Sequence, residues 1–185
     1  MPATIVSGDI FDAQVDIIVH QTNCVTRKPH GFSEEIAKKW PHANIYGLRN
    51  GSTPNTAYTS DEGVPGTCTL LKTNVHKPSQ VACLLAQICP GNGKSDYWCR
   101  RYGKMFVDDT VSKRAEYFRQ ALSDLAEKII KISDDDEKKD RVVAFPFRIA
   151  CGLAGGSWNV YEPMIHVFAD NISGHGWKTH IYRHK

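Results

Sequence analysis

The chain has 185 residues, 41% hydrophobic, 23% charged and 10% aromatic, the composition of one globular domain. A chain this long buries about 70% of the surface its unfolded form exposes, so neither a metal nor disulfides are needed for it to fold. Its 23 Lys and Arg against 20 Asp and Glu leave +3, short of the charge that announces a nucleic-acid binder, and no apolar stretch approaches the roughly 20 residues that cross a bilayer.

The N-terminus, Met1-Pro2-Ala3-Thr4-Ile5-Val6-Ser7, has neither a basic start nor a long apolar segment, so no secretory signal is expected and the cytoplasm, or else the nucleus, is the expected compartment. The six cysteines, Cys24, Cys68, Cys83, Cys89, Cys99 and Cys151, are spread singly. There is no C-x-x-C pair and no cysteine and histidine cluster at zinc spacing, so they are expected to be reduced structural thiols, with no metal and no cofactor.

Short apolar runs punctuated by Gly, Pro or Asn predict strands over residues 3–7 and 15–22. A helix follows Ser33, with Glu34 and Glu35 in its first turn, Ile36, Ala37 and Trp40 inward and Pro41 as its stop. Residues 50–66 carry no regular pattern. Strands are expected again at 67–73 and 80–87, followed by a second irregular segment, 88–107, holding Tyr97, Trp98, Arg100, Arg101 and Tyr102. That segment is either a cover for a ligand or a surface excursion. Val111, Ala115, Phe118, Leu122, Leu125 and Ile129 repeat at helical spacing and predict a helix over 109–131, with Asp108 and Asp109 as caps. The acidic run 133–140 is expected to cap that helix and solvate a loop. A strand at 141–146, a glycine-bearing loop at 151–158, a helix from about Asn159 with Tyr161, Met164, Ile165 and Phe168 on one face, and a strand at 178–183 complete an α/β sandwich. Pro163 keeps that last helix from beginning much earlier. The whole chain, 1–185, is expected to be one domain.

The chemistry is expected at strand ends, where open α/β sheets place ligands. Gly8-Asp9-Ile10 follows the first strand, and His20-Gln21-Thr22-Asn23 closes the second. His20 is either a packed core histidine or a general acid or base. Gly152, Gly155 and Gly156, ahead of a helix, suggest a phosphate cradle. Pro90-Gly91-Asn92-Gly93-Lys94-Ser95 mimics a P-loop, but Ile88 stands where that motif requires a small residue.

Taken in order, Gly8-Asp9-Ile10, Asn23, His30-Gly31-Phe32, Gly66-Thr67-Cys68-Thr69-Leu70-Leu71, Ala144-Phe145-Pro146 and the stretch Ile149 to Trp158 resemble the macro domain, an ADP-ribose-binding module. The resemblance runs from Thr4 to Tyr182, and it is greatest to the branch of ADP-ribose-1''-phosphate phosphatases and terminal ADP-ribose protein glycohydrolases. It implies a three-layer α/β/α sandwich with a central mixed sheet. It also implies that Asp9 and Ile10 receive adenine, that Asn23 contacts the distal ribose, and that Gly31 and Phe32 with Gly152, Leu153, Ala154, Gly155 and Gly156 enclose the diphosphate. The lysine and aspartate of the glycohydrolase group fall on Gln87 and Ala154, so that covalent mechanism is not expected. The histidine of the phosphatase group falls on His20, three residues before Asn23.

The expected activity is therefore release of phosphate from ADP-ribose-1''-phosphate, with His20 and Asn23 as the catalytic pair. Only one glycine marks the first loop, where Arg27, Lys28 or His30 could compensate by charge. The alternatives are a reader of ADP-ribose without turnover, and a hydrolase of ADP-ribosylated protein or O-acetyl-ADP-ribose. A basic surface built from Arg100, Arg101, Lys104 and the tail 180–185 is the remaining one. The expected partners are ADP-ribose, its derivatives and ADP-ribosylated proteins; neither membrane nor nucleic acid is expected.

Overall fold

The computed structural model describes residues 1–134 and 140–184. In chain order it contains β1 (Thr4–Ser7), β2 (Ile17–Asn23), α1 (Phe32–Lys39), β3 (Cys68–Lys72), β4 (Gln80–Gln87), α2 (Tyr97–Arg101), α3 (Val111–Asp134), β5 (Arg141–Pro146), α4 (Trp158–Ser173) and β6 (Trp177–Arg183). Single 3-10 turns occupy Ile10–Asp12, Pro41–Ala43 and Thr59–Asp61.

The strands form one sheet in the order β1-β6-β5-β2-β4-β3. All neighbours are parallel except β3, which runs antiparallel to β4. Parallel neighbours need crossover connections, and these cover both faces of the sheet. Side-chain alternation divides the core accordingly. Ile17 and Val19 of β2, Ala82 and Leu84 of β4, and Val143 and Phe145 of β5 pack under α3 and α4. Ile18, Val81, Cys83 and Ala144 face the other way, onto Ile36 of α1 and onto Trp40 and Tyr46. The result is the expected three-layer α/β/α sandwich around a mixed sheet.

The helices form for the reasons their patterns suggest, with shifted ends. α3 buries Phe118, Leu122, Leu125 and Ile129. Its cap is Thr110, whose hydroxyl accepts from Lys113 N–H at 3.3 Å; Asp108 instead braces Thr110, and Asp109 turns inward. α1 starts at Phe32 after Gly31, which adopts φ 57°, and Ser33 is already inside the helix and buried. Pro163 sits in the second turn of α4, beyond the first turn that the sequence favoured for it. The segment 88–107 holds the short α2, which carries too few residues to show a period. Of the acidic run, residues 135–139 lie outside the described residues. Among the described residues no helix is long and apolar enough to cross a membrane.

The chain leaves β2 for β3 and β4 on one side of the sheet and leaves β5 for β6 on the other, so the seam between β2 and β5 is the switch point at which such sheets bind ligands. One buried ion pair ties the surrounding loops together. Arg114 on α3 donates to Asp109 Oδ2 and to the carbonyls of Cys89 (2.9 Å), Gly91 (2.6 Å) and Ala154 (3.2 Å). Asp109 accepts the N–H groups of Ile88 and Cys89 at 2.8 and 2.9 Å. Removing one partner strands the other charge without compensation, so Arg114→Met is expected to destabilise the protein by about 3–5 kcal/mol. Urea denaturation measures it, and a loss below about 1 kcal/mol would contradict this account.

Candidate functional site

At the end of β2 the register against β4 shifts between Thr22 and Asn23, which turns the Asn23 side chain into the following loop. Its Oδ1 accepts from Val25 N–H (3.1 Å), Thr26 N–H (2.9 Å) and the Thr26 hydroxyl (2.9 Å). The carboxamide orientation is thereby fixed, and the Nδ2 donors are left without a partner among the described residues. Arg49, itself buried, clamps the same loop by donating to the carbonyls of Asn23 (2.7 Å) and Thr26 (2.6 Å). Its guanidinium lies 5.0 Å over the Tyr46 ring, and the Tyr46 hydroxyl accepts Asn23 N–H at 3.2 Å.

Beyond β5, Arg148 and Ala150 adopt φ values of 58° and 66°. Non-glycine residues held there cost on the order of 1–2 kcal/mol each, a strain that gathers at functional sites. The next residues divide sharply. Gly155 and Gly156 give their N–H groups to the carbonyls of Gly152 (3.0 Å) and Ala150 (2.8 Å). A Cβ at Gly155 would lie 2.3 Å from the Asn92 carbonyl oxygen, and one at Gly156 would lie 2.7 Å from the Tyr161 ring. These two glycines serve the protein's own packing. Gly152, Leu153 and Ala154, by contrast, line the cavity, and among the described residues no acceptor meets their N–H groups. Three successive unpaired N–H groups form the kind of nest that takes an anion.

Together these segments and the 90–102 stretch enclose a cavity of about 1020 Å³, at the large end of small-molecule sites. Its walls include Gln21, Asn23, Gly31, Phe32, Gln87, Trp98, Arg101 and Tyr102. Its ionic side chains are Lys28, Arg101 and Arg148, with His30 beside them, and among the described residues no carboxylate lines it. The start of α1, at Gly31, Phe32 and Ser33, faces the nest across the opening; Leu153 Cδ1 comes within 3.2 Å of the Cβ position of Gly31. Helix starts of this kind also favour anions.

No protein-family model and no curated protein matches the sequence. Solved structures do match this architecture. The macrodomain of Mycobacterium tuberculosis DarG superposes with a TM-score of 0.64 at 17% identity over 97% of this chain and 96% of that one. The macrodomain of Thermus aquaticus DarG gives 0.61 at 15% over 98% and 97%. A Trypanosoma brucei macrodomain, solved in complex with ADP-ribose, gives 0.59 at 13% over 97% of this chain and 62% of that one. The chain has the macrodomain fold.

Within the macrodomain fold the residues singled out by sequence separate into three groups. His20, Asn23, Gly31, Phe32, Gly152, Leu153 and Ala154 line the cavity, whereas Gly155 and Gly156 stand behind it. Asp9 and Ile10 also lie outside its lining. Asp9 Oδ1 caps the first 3-10 turn by accepting Phe11 N–H at 2.9 Å, Oδ2 is 4.0 Å from His184 Nε2, and Ile10 is buried. Phe11, whose N–H Asp9 accepts, packs its ring against that of the cavity-lining Phe32, with centroids 5.1 Å apart. Of the basic residues in the first loop, Lys28 and His30 line the cavity, whereas Arg27 turns away to the carbonyls of Arg49 and Thr53. Tyr46 and Arg49 carry no sequence signal, because their roles come from partners distant in the chain, and Gln21 is legible only as one of the polar residues that close the second strand.

The six cysteines are free thiols, and burial pushes Cys24 and Cys68 up to about 12. Cys89, Cys99 and Asp109 bring their ligand atoms within 4.8 Å of one another, but Asp109 already engages Arg114 and two N–H groups. A cation there would have to displace the guanidinium, so the trio does not fit a metal.

His20 is 2% exposed. Its Nδ1 pairs with the Ser33 hydroxyl at 3.1 Å and its Nε2 with Cys83 Sγ at 3.2 Å, and burial lowers its pKa to about 3. The imidazole is neutral, with both nitrogens engaged. Unfolding returns its pKa to about 6.5, so the unfolded chain binds the extra proton between pH 3 and 6.5 and His20's contribution to stability is lost as pH falls through that window. The expected slope is about 1.4 kcal/mol per pH unit below pH 6.5. Denaturation midpoints from pH 7 to pH 4 check it, with His20→Asn reducing the slope by one proton.

Proposed function

We propose that the protein binds ADP-ribose and releases phosphate from ADP-ribose-1''-phosphate. The observation that carries this reading is the unpaired nest of Gly152, Leu153 and Ala154 opposite the start of α1, in a cavity whose ionic side chains are all cationic. A diphosphate fits between two sets of backbone donors. The additional cations suit a ligand with a further phosphate. The fold shared with a macrodomain solved in complex with ADP-ribose supports the same ligand.

In this reading the adenosine end extends toward Asp9 and the distal ribose toward Asn23, whose Nδ2 donates to a ribose hydroxyl. Water attacks phosphorus, the bond from phosphorus to the ribose oxygen breaks, and the water's proton ends on that oxygen. Lys28 and Arg148 oppose the charge on the phosphoryl oxygens, and positioning supplies much of the remaining rate. His20 acts here as a positioning residue: its bond to Ser33 holds the first turn of α1, where the diphosphate is received.

The lack of a carboxylate among the described lining residues, with both His20 nitrogens engaged, favours binding without turnover as the second reading. Calorimetry with ADP-ribose and a phosphate-release assay on ADP-ribose-1''-phosphate separate the two. Turnover supports the proposal; tight ADP-ribose binding with no phosphate released selects the reader, and no binding defeats both. Asn23→Asp keeps the acceptor that the loop needs and replaces the donor, so ADP-ribose affinity should fall by about tenfold or more. Asp9→Ala should weaken it as well, and unchanged affinity would remove Asp9 from the site.

A further inference from the structure

Two glutamines on the cavity wall form a chain whose direction the backbone dictates. Gln87, at the end of β4 and 8% exposed, donates its Nε2–H to the Cys89 carbonyl at 3.0 Å. Its Oε1 must therefore accept, and it does so from Gln21 Nε2–H at 2.7 Å. Reversing the pair would set Gln87 Oε1 against the Cys89 carbonyl oxygen, acceptor against acceptor. The one consistent orientation leaves Gln21 Oε1 enclosed and with no donor. Among the described residues three other side-chain atoms share that condition, Arg114 Nε, Thr179 Oγ1 and His180 Nδ1, and of the four only Gln21 Oε1 belongs to a residue lining the cavity.

An enclosed acceptor without a donor is unfavourable, and it becomes favourable when a ligand brings an O–H or N–H. The phosphates of a nucleotide bring only acceptors. A sugar hydroxyl both donates and accepts, and the β2 end offers both counterparts, Gln21 Oε1 as acceptor and Asn23 Nδ2 as donor. The strand order places β1, which leads to Asp9, three strands from β2, about 14 Å at the usual strand spacing. The two ends of an extended ligand are thereby kept apart.

We infer that Gln21 is a specificity-determining residue: rotation of its carboxamide about the Gln87 bond lets Oε1 accept a hydroxyl of the ligand's terminal ribose. Gln87 is the positioning residue that fixes which atom faces the ligand. The inference rests on the ADP-ribose reading and deepens it.

The test is a comparison of ADP-ribose with ADP, which lacks the terminal ribose, by calorimetry on the wild type and on Gln21→Met, a change of similar length that removes the acceptor. The wild type should prefer ADP-ribose, and the variant should lose about tenfold affinity for ADP-ribose with little change for ADP. An equal loss for both ligands, or no loss, overturns the inference. Side-chain amide NMR of the wild type gives a readout that needs no variant. The Gln21 and Gln87 Nε2 resonances should shift with ADP-ribose and hold still with ADP, and identical spectra overturn the inference even if the variant fails to fold. A wild type that binds neither nucleotide defeats the ADP-ribose reading itself, whereas binding with unchanged preference in Gln21→Met defeats only the role of Gln21.

Discussion

The buried pair of Asp109 and Arg114 is the constraint on which the cavity depends. Each group is 2% exposed at the side chain, and a pair so placed gains little net stability, since desolvation offsets most of the attraction. What it supplies is geometry. The guanidinium gathers carbonyls from the exit of β4, from Gly91 and from Ala154, and the carboxylate gathers two N–H groups from the same exit. Arg114 stands one turn before Phe118, which is fully buried against the sheet. Two loops far apart in sequence are thereby referenced to the longest helix and, through it, to the core.

Anchoring of this kind lets the neighbouring walls hold polar groups without partners. Arg49 does for the first loop what Arg114 does for the others, using carbonyls of Asn23 and Thr26 as acceptors. Fixed walls keep the N–H groups of Gly152 to Ala154, the Asn23 amide donors and the Gln21 acceptor from collapsing onto one another. The positive φ values at Arg148 and Ala150 belong to the same arrangement, since the strain persists only because the surroundings over-determine the loop. Folding thus retains a set of unsatisfied groups that a bound anion and sugar would satisfy together.

Much of this was legible in the sequence. The strands at 80–87 and 141–146 coincide with β4 and β5 at both ends, because apolar runs buried on both faces end abruptly at turn residues. α3 was legible because Phe118, Leu122, Leu125 and Ile129 keep helical spacing over many turns. Its cap was misread, since Asp109 is a good cap by type and only the fold reveals Arg114 and the β4 exit competing for it. α2 left no trace, because five residues are too few for a period. At the site, order and spacing single out Asn23 and the whole stretch Gly152 to Gly156, of which only Gly152, Leu153 and Ala154 line the cavity. Gly155 and Gly156 looked identical to Gly152 on paper, and only the positions of Asn92 and Tyr161 distinguish a glycine needed for packing from one open to a ligand.

His20 shows where residue type and environment part company. A histidine three residues before Asn23 suggests proton transfer, and an exposed imidazole would titrate near neutrality. In this fold its ring is enclosed between Ser33 and Cys83, which engage both nitrogens, while burial disfavours the cation. A ring so held can fix the start of α1, and through it one side of the anion-binding opening. In the proposed phosphate release, the proton of the attacking water would reach the ribose oxygen by the water and the substrate themselves, with Lys28, Arg148 and backbone N–H groups opposing the charge that develops. In that reaction the leaving group is the ribose oxygen, a hemiacetal oxygen that leaves more readily than an ordinary alkoxide, and because no carboxylate is among the described lining residues its proton comes from the attacking water.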